Sequence, residues 1–68
     1  MPPYQERVVE ERDQLAERTH KLHTFLGGVL FDDLPGEEKV RLRRQHIIMR
    51  AYLEILDERI AAFTPAAA

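Results

Sequence analysis

The chain has no cysteine and no serine. Without cysteine there is no disulfide, no thiolate metal site and no thiol nucleophile. Without serine the commonest hydroxyl nucleophile is missing as well. The lack of thiols fits a reducing compartment. No apolar run approaches the roughly 18 residues of a membrane span. The opening Met1-Pro2-Pro3-Tyr4-Gln5-Glu6-Arg7 is too polar for a secretory signal. A glycine-rich phosphate loop is also missing, because Gly27-Gly28 lacks the spacing of a nucleotide fingerprint. These absences argue against an enzyme, and nothing in the chain calls for a cofactor.

What is present is a chain of 68 residues, 32% charged, with a formal net charge of −2. One domain is the limit at this length. A domain so small buries too little surface to stand alone easily, and without disulfide or metal its remaining route to stability is self-association. His20 and His23 are three residues apart and share a helix side. They read either as a metal pair that needs a third ligand from elsewhere, or as two solvated side chains.

The pattern along the chain predicts an all-α antiparallel hairpin. Pro2 and Pro3 suit a helix start, since the first turn leaves its amide hydrogens unpaired anyway. Val8, Leu15, Leu22 and Leu26 then hold one face of a first helix over about residues 3–26. Gly27 and Gly28 are expected to stop it in the left-handed conformation. Residues 27–34 form a short connector whose apolar side chains tuck against the hairpin end, and Asp32 or Asp33 is a candidate cap for the next helix. The second helix is expected over about residues 35–63, with Glu37 and Glu38 at the positive end of its dipole. Residues 64–68 read as a tail. The short connection makes the helices antiparallel neighbours.

The second helix has an unusual feature. At about 100° per residue it carries two apolar stripes. One holds Leu42, Met49, Tyr52, Leu53, Leu56, Ile60 and Phe63; the other holds Val40, Ile47, Ile48, Ala51 and Ile55. Arg41 and Arg59 fall in the seam between them. One partner helix covers one stripe, and the second stripe predicts assembly into a symmetric helical oligomer.

Charge is unevenly spread. Lys39 to Arg50 carries Lys39, Arg41, Arg43, Arg44, His46 and Arg50 with no acid, whereas Glu10, Glu11, Asp13 and Glu17 crowd the first half. The basic segment reads as a face that pairs with the acidic first helix, or as a patch for an external anion, duplex DNA included. On the first helix, Tyr4, Arg7, Glu11, Arg18 and Phe25 project to one side of the apolar row. An aromatic ring stacks on a base and guanidinium groups grip phosphate, so this mix is what a nucleotide site uses. The alternative is ordinary flanking residues. Tyr4 and Arg18 lie about 21 Å apart along the axis, too far to share one small ligand within one chain. If they serve one site, they come from different protomers.

At these residues the chain resembles a known family. The matching segments are Tyr4-Gln5-Glu6-Arg7-Val8-Val9-Glu10-Glu11, Leu15, Lys21-Leu22, Phe25-Leu26, Phe31, Leu34, Glu37-Glu38, Arg44-Gln45, Met49, Tyr52, Ile55-Leu56 and Glu58-Arg59-Ile60. In order and spacing they are similar to the phage anti-CBASS cyclic-oligonucleotide sponges, whose hairpin is also similar to part of an anti-Thoeris sponge. The resemblance implies a compact oligomer, typically a hexamer, acting in the cytoplasm of the infected bacterial host. It implies binding of cyclic dinucleotide and cyclic trinucleotide messengers without cleavage. It also implies roles. Tyr4 stacks on a base of the dinucleotide, and Arg18 or the nearby Lys21 meets its phosphates, where the family usually has lysine. Arg7 follows the Tyr-x-x-Arg motif, as a ligand contact or a structural ion pair. Arg59, in the closing Leu56-x-x-Arg59-Ile60 motif, matches an arginine implied in trinucleotide binding. Beside this stand two other readings. One is a small structural or adaptor protein whose stripes only bind other helices; the other is a nucleic-acid regulator using the Lys39–Arg50 patch.

Overall fold

Pro2 sits in extended backbone (ψ 146°), as a residue preceding proline must, and Pro3 opens the first helix. No side chain caps this start. The Pro2 carbonyl accepts from the Gln5 and Glu6 amides at 3.0 and 3.2 Å. In the computed structural model, which describes residues 1–63, the chain forms α1 (Pro3–Leu26), α2 (Val29–Asp32) and α3 (Gly36–Phe63). The tail at 64–68 lies outside the described residues. The long helices run antiparallel, with Tyr4 against Phe63 at the open end and His23 against His46 near the turn.

The turn differs from the sequence expectation in two ways. No glycine takes a positive φ. Gly27 (φ −92°) donates to the Thr24 carbonyl at 3.2 Å and Gly28 to the Phe25 carbonyl at 3.0 Å, so tight three-residue bonds end the helix instead. The chain then turns directly into α2, which leaves no room for a left-handed stop. A Cβ on Gly28 would stand 3.4 Å from the Phe25 oxygen, at the near edge of ordinary van der Waals contact. The second difference is that Asp33 ends α2 as its C-cap, and α3 begins on the Pro35 carbonyl, which accepts from the Lys39 amide at 3.1 Å.

α2 exists to deliver Phe31. Its ring is 2% exposed, meets Phe25 edge-on at 6.2 Å, and lies under the Lys39 ammonium at 5.9 Å and the Arg43 guanidinium at 5.1 Å. Phe31 therefore plugs the closed end, with two cations over its face.

Between the ends the seam is thin. Val8, Leu15 and the fully buried Leu56 form its centre, with Met49, Leu53, Ile60 and Phe63 packed around them. Thr19 is buried beside them and donates its hydroxyl to the Leu15 carbonyl at 2.7 Å, which satisfies the polar group inside the helix. Two polar clamps bridge the helices. Arg12 Nε donates to Asp57 Oδ1 at 2.7 Å, while Tyr52 Oη donates to Glu11 Oε2. The sequence pattern places Tyr52 in the stripe that holds Leu56, the one α1 covers. It sits at the stripe's edge instead, 41% exposed, because its phenol reaches across to the α1 carboxylate.

The result is a rod of 53 × 17 × 15 Å with a radius of gyration of 15.7 Å. A globular chain of this length has a radius near 11 Å. One stripe of α3 is spent on α1. The other is left in solvent: Val40, Ile47, Ile48 and Ile55 are each more than half exposed.

Leu56→Ala is expected to destabilise the hairpin by about 2–5 kcal/mol, read by helix loss in thermal or urea unfolding. The hydrogen bond to Glu11, assisted by desolvation, raises the Tyr52 pKa above 10.0, although nearby Arg59 opposes the shift. Since the folded value exceeds the unfolded one, this bond's stabilisation is complete below the unfolded pKa and lost as pH rises through the folded value. Ultraviolet titration of the two tyrosines should find one ionising above its ordinary range, and Tyr52→Phe should remove that late step.

Candidate functional site

α1 is one uninterrupted helix, so its periodicity fixes how the flank residues stand. Tyr4 is at the open end. Its ring is 53% exposed, meets Phe63 edge-on at 5.9 Å with the planes at 82°, and accepts a hydrogen bond from Gln5 Nε2 at 3.2 Å. Phe63 thus holds one edge of the ring while about half of it remains open to a flat partner.

Arg7 and Arg18 are exposed on the same flank, and neither forms an ion pair among the described residues. Lys21 is paired with Glu17 at 3.1 Å, one turn away, and both are well exposed. Such a pair in water is easily exchanged for another anion. Glu11, on the Arg7–Arg18 side, is occupied by Tyr52 of α3. Phe25, which shares that flank in the sequence pattern, is half-buried and turned to Phe31. It belongs to the closed end and not to an open flank.

Arg59 lies two turns after Tyr52 on α3, close enough for its charge to act on the phenol. It is exposed, at the border between the covered stripe and the bare one. Arg41, the other seam arginine, donates from Nε to Glu38 Oε1 at 2.8 Å. The Tyr52–Glu11 clamp is a polar cross-link between helices that sequence periodicity missed, and Arg59 stands beside it on α3. The signal for it was the polar end of a tyrosine placed at the margin of an apolar stripe.

The remaining sequence candidates fall elsewhere. His23 stacks on His46 of α3, with centroids 5.5 Å apart and planes at 29°, so His23 is engaged across the seam and not with His20. Among the described residues no group of three or more metal-ligating side chains comes together. The basic Lys39–Arg50 segment does not pair with the acidic first helix within the chain. The only ion pair between the two long helices among the described residues is Arg12–Asp57.

The candidate ligand residues do not converge. Tyr4 and Arg18 are on one straight helix, about 21 Å apart. The larger surface groove, about 320 Å³, is lined by Arg41, Arg44, Gln45, Ile48 and Met49 of α3. A smaller one of about 200 Å³ is lined by Ile47, Arg50, Ala51 and Glu54. Neither contains Tyr4, Arg7, Arg18, Lys21 or Arg59. Among the described residues, a single copy therefore offers an open aromatic ring and three separate guanidinium groups on a convex rod, and neither groove brings them together.

No helix among the described residues is long and apolar enough to cross a membrane. No solved structure matches the chain. A relative from Enterobacteria phage T4, an uncharacterized 7.5 kDa protein in the denB-rIIB intergenic region, is 41% identical over 63 residues, covering 93% of this chain and 98% of its own. The model of the Sequestin family matches residues 2–62, which span both long helices and the connector. The chain therefore belongs to the Sequestin family of phage proteins, which act by sequestration and not by catalysis.

Proposed function

We propose that this protein binds and sequesters cyclic dinucleotide and cyclic trinucleotide messengers of bacterial antiphage defence, CBASS signals among them, without cleaving them. The observation that carries this reading is the reach of the Sequestin match. Residues 2–62 include Tyr4, Arg7, Arg18, Lys21 and Arg59, the whole set expected to meet the ligand. The protein acts in the cytoplasm of the infected host, where such messengers are made. It needs no cofactor.

The chemistry agrees with the ligand. A cyclic dinucleotide offers two flat bases and two phosphates. Two copies related by a two-fold axis offer two half-open tyrosine rings and two unpaired arginines. Stacking contributes about 1–3 kcal/mol per base, and each charge-assisted hydrogen bond about 1.5–3 kcal/mol. Several together reach micromolar affinity or better. Because Tyr4 and Arg18 stand too far apart in one chain, one site takes Tyr4 from one copy and Arg18 or Lys21 from another. Arg59, on the opposite helix at the border of the bare stripe, serves a second site for the trinucleotide. The bare stripe of Val40, Ile47, Ile48, Ala51 and Ile55 supplies the apolar surface that draws copies together, in a closed set such as a hexamer.

Cyclic dinucleotides and trinucleotides at a hundred times their Kd should raise the melting temperature by about 10 °C, and linear dinucleotides should not. An unchanged melting curve with every cyclic ligand would leave an adaptor protein as the better description. Tyr4→Ala should weaken dinucleotide binding about ten- to a hundredfold in calorimetry, with helix content unchanged. Arg59→Ala should cost trinucleotide binding more than dinucleotide binding; equal losses contradict two separate sites. Ile47→Glu combined with Ile55→Glu should shift the sedimenting species toward the 8.0 kDa single chain.

A further inference from the structure

Two polar contacts across the seam set a donor against an acceptor: Arg12 bonds Asp57, and Tyr52 bonds Glu11. A third is of another kind. His23 of α1 and His46 of α3 stand side by side, with ring centres 5.5 Å apart and planes at 29°. Among the described residues neither ring takes part in a hydrogen bond or an ion pair. Two imidazoles have no opposite charges to exchange, and protonating both sets like charges together. Their ring nitrogens therefore gather at one place with nothing in the chain to bond.

The spacing suits two ligands of one metal ion. With metal–nitrogen bonds of about 2.1 Å and a ring centre about 1.1 Å beyond each nitrogen, two imidazoles on a tetrahedral ion have centres about 5 Å apart. The observed 5.5 Å is close to that. The outer torsion of a histidine side chain is broad, so each ring turns at little cost to aim a nitrogen at the point between them. The backbone beneath is already placed. Thr19, one turn before His23, is buried and bonded to the Leu15 carbonyl, and Phe31 plugs the turn at 2% exposure. Binding therefore has little left to order. His23 is exposed and His46 half-buried, so an ion enters from solvent and keeps water on its other positions.

We infer that His23 and His46 form a two-histidine site for a divalent transition cation, which ties α1 to α3 beside the turn. Imidazole nitrogen suits Zn2+, Ni2+ and Cu2+, with affinity highest for Cu2+. Mg2+ and Ca2+ take oxygen ligands, and no carboxylate completes a group with this pair among the described residues, so the site rejects them. Arg43 and Arg50 stand one turn to either side of His46 and oppose a cation, which keeps the affinity moderate. The pairing differs from the His20–His23 spacing visible in the sequence, because His23 meets α3. The site uses none of Tyr4, Arg7, Arg18, Lys21 or Arg59. It stands apart from messenger capture, and its test contains no nucleotide.

The probe is zinc chloride, titrated into the full chain by calorimetry. About one ion should bind per chain. At ten times its Kd, Zn2+ should raise the melting temperature by about 5 °C or more, reversibly with EDTA, and Mg2+ at the same concentration should not. His23→Ala and His46→Ala should each weaken binding about tenfold or more, while His20→Ala should leave it within about twofold. Circular dichroism checks that each variant keeps its helices. Should His46→Ala lose them, His46→Gln takes its place. Binding lost in His20→Ala and His23→Ala but kept in the His46 variant assigns the ion to α1 alone and overturns the inference. So does binding that survives all three substitutions. Absence of both heat and melting shift with Zn2+, Ni2+ and Cu2+ overturns it as well, and leaves the two rings as a packing contact.

Discussion

A long helix with two apolar sides needs two neighbours, and a hairpin supplies one. Every other feature of this molecule follows from that shortfall. α1 covers the Leu56 side of α3, and no further long element among the described residues is set against Ile47 and Ile48, which remain 66% and 64% exposed. The short α2 is used up at the turn, where it buries Phe31 and caps the end of the seam. The rod shape expresses the same constraint. A molecule 53 Å long and 15–17 Å wide is nearly all surface, so few of its side chains find a dry environment.

That constraint also determines where chemistry can occur. A small anion is held tightly only where water is excluded and several groups converge. The grooves on a single copy are shallow, and they are lined by α3 residues other than the arginines and the tyrosine that suit a nucleotide. In the proposed function, convergence comes from symmetry. The residues with the right chemistry stand at the margins of the rod, at its open end and along the borders of the bare stripe. In the proposed assembly, those are the places where a neighbouring copy would turn an exposed side chain into the wall of a cleft.

Much of this was legible in the residues. The prolines at the start, the paired glycines, and apolar positions recurring at helical spacing describe two helices and a short connection. The double stripe on α3 was visible before any coordinates. What sequence could not supply was the offset between helices, because a hairpin can slide by a turn without changing either pattern. That offset puts Tyr52 beside Glu11, Arg12 beside Asp57 and His23 against His46. It also decides that the basic segment of α3 finds no acid on α1 to pair with. Local turn chemistry misled in a different way. Two glycines suggested a left-handed stop, yet the tight bonds at Thr24 and Phe25 and the immediate start of α2 made that conformation unnecessary.

The two ends of the rod are fastened very differently. Phe31 is locked at the turn by one ring and two cations, while the far end closes on the edge contact between Tyr4 and Phe63 and the packing of Ile60 and Phe63 onto the core around Val8. Opening free energy should therefore fall along the rod, and backbone amides near Tyr4 should exchange with solvent long before those around Thr19. A ligand that stacks on Tyr4 would grip the loosest part of the chain and tighten it, so capture and ordering would be the same event there. Local unfolding at that end then becomes a gate on how quickly a guest is admitted and how slowly it escapes.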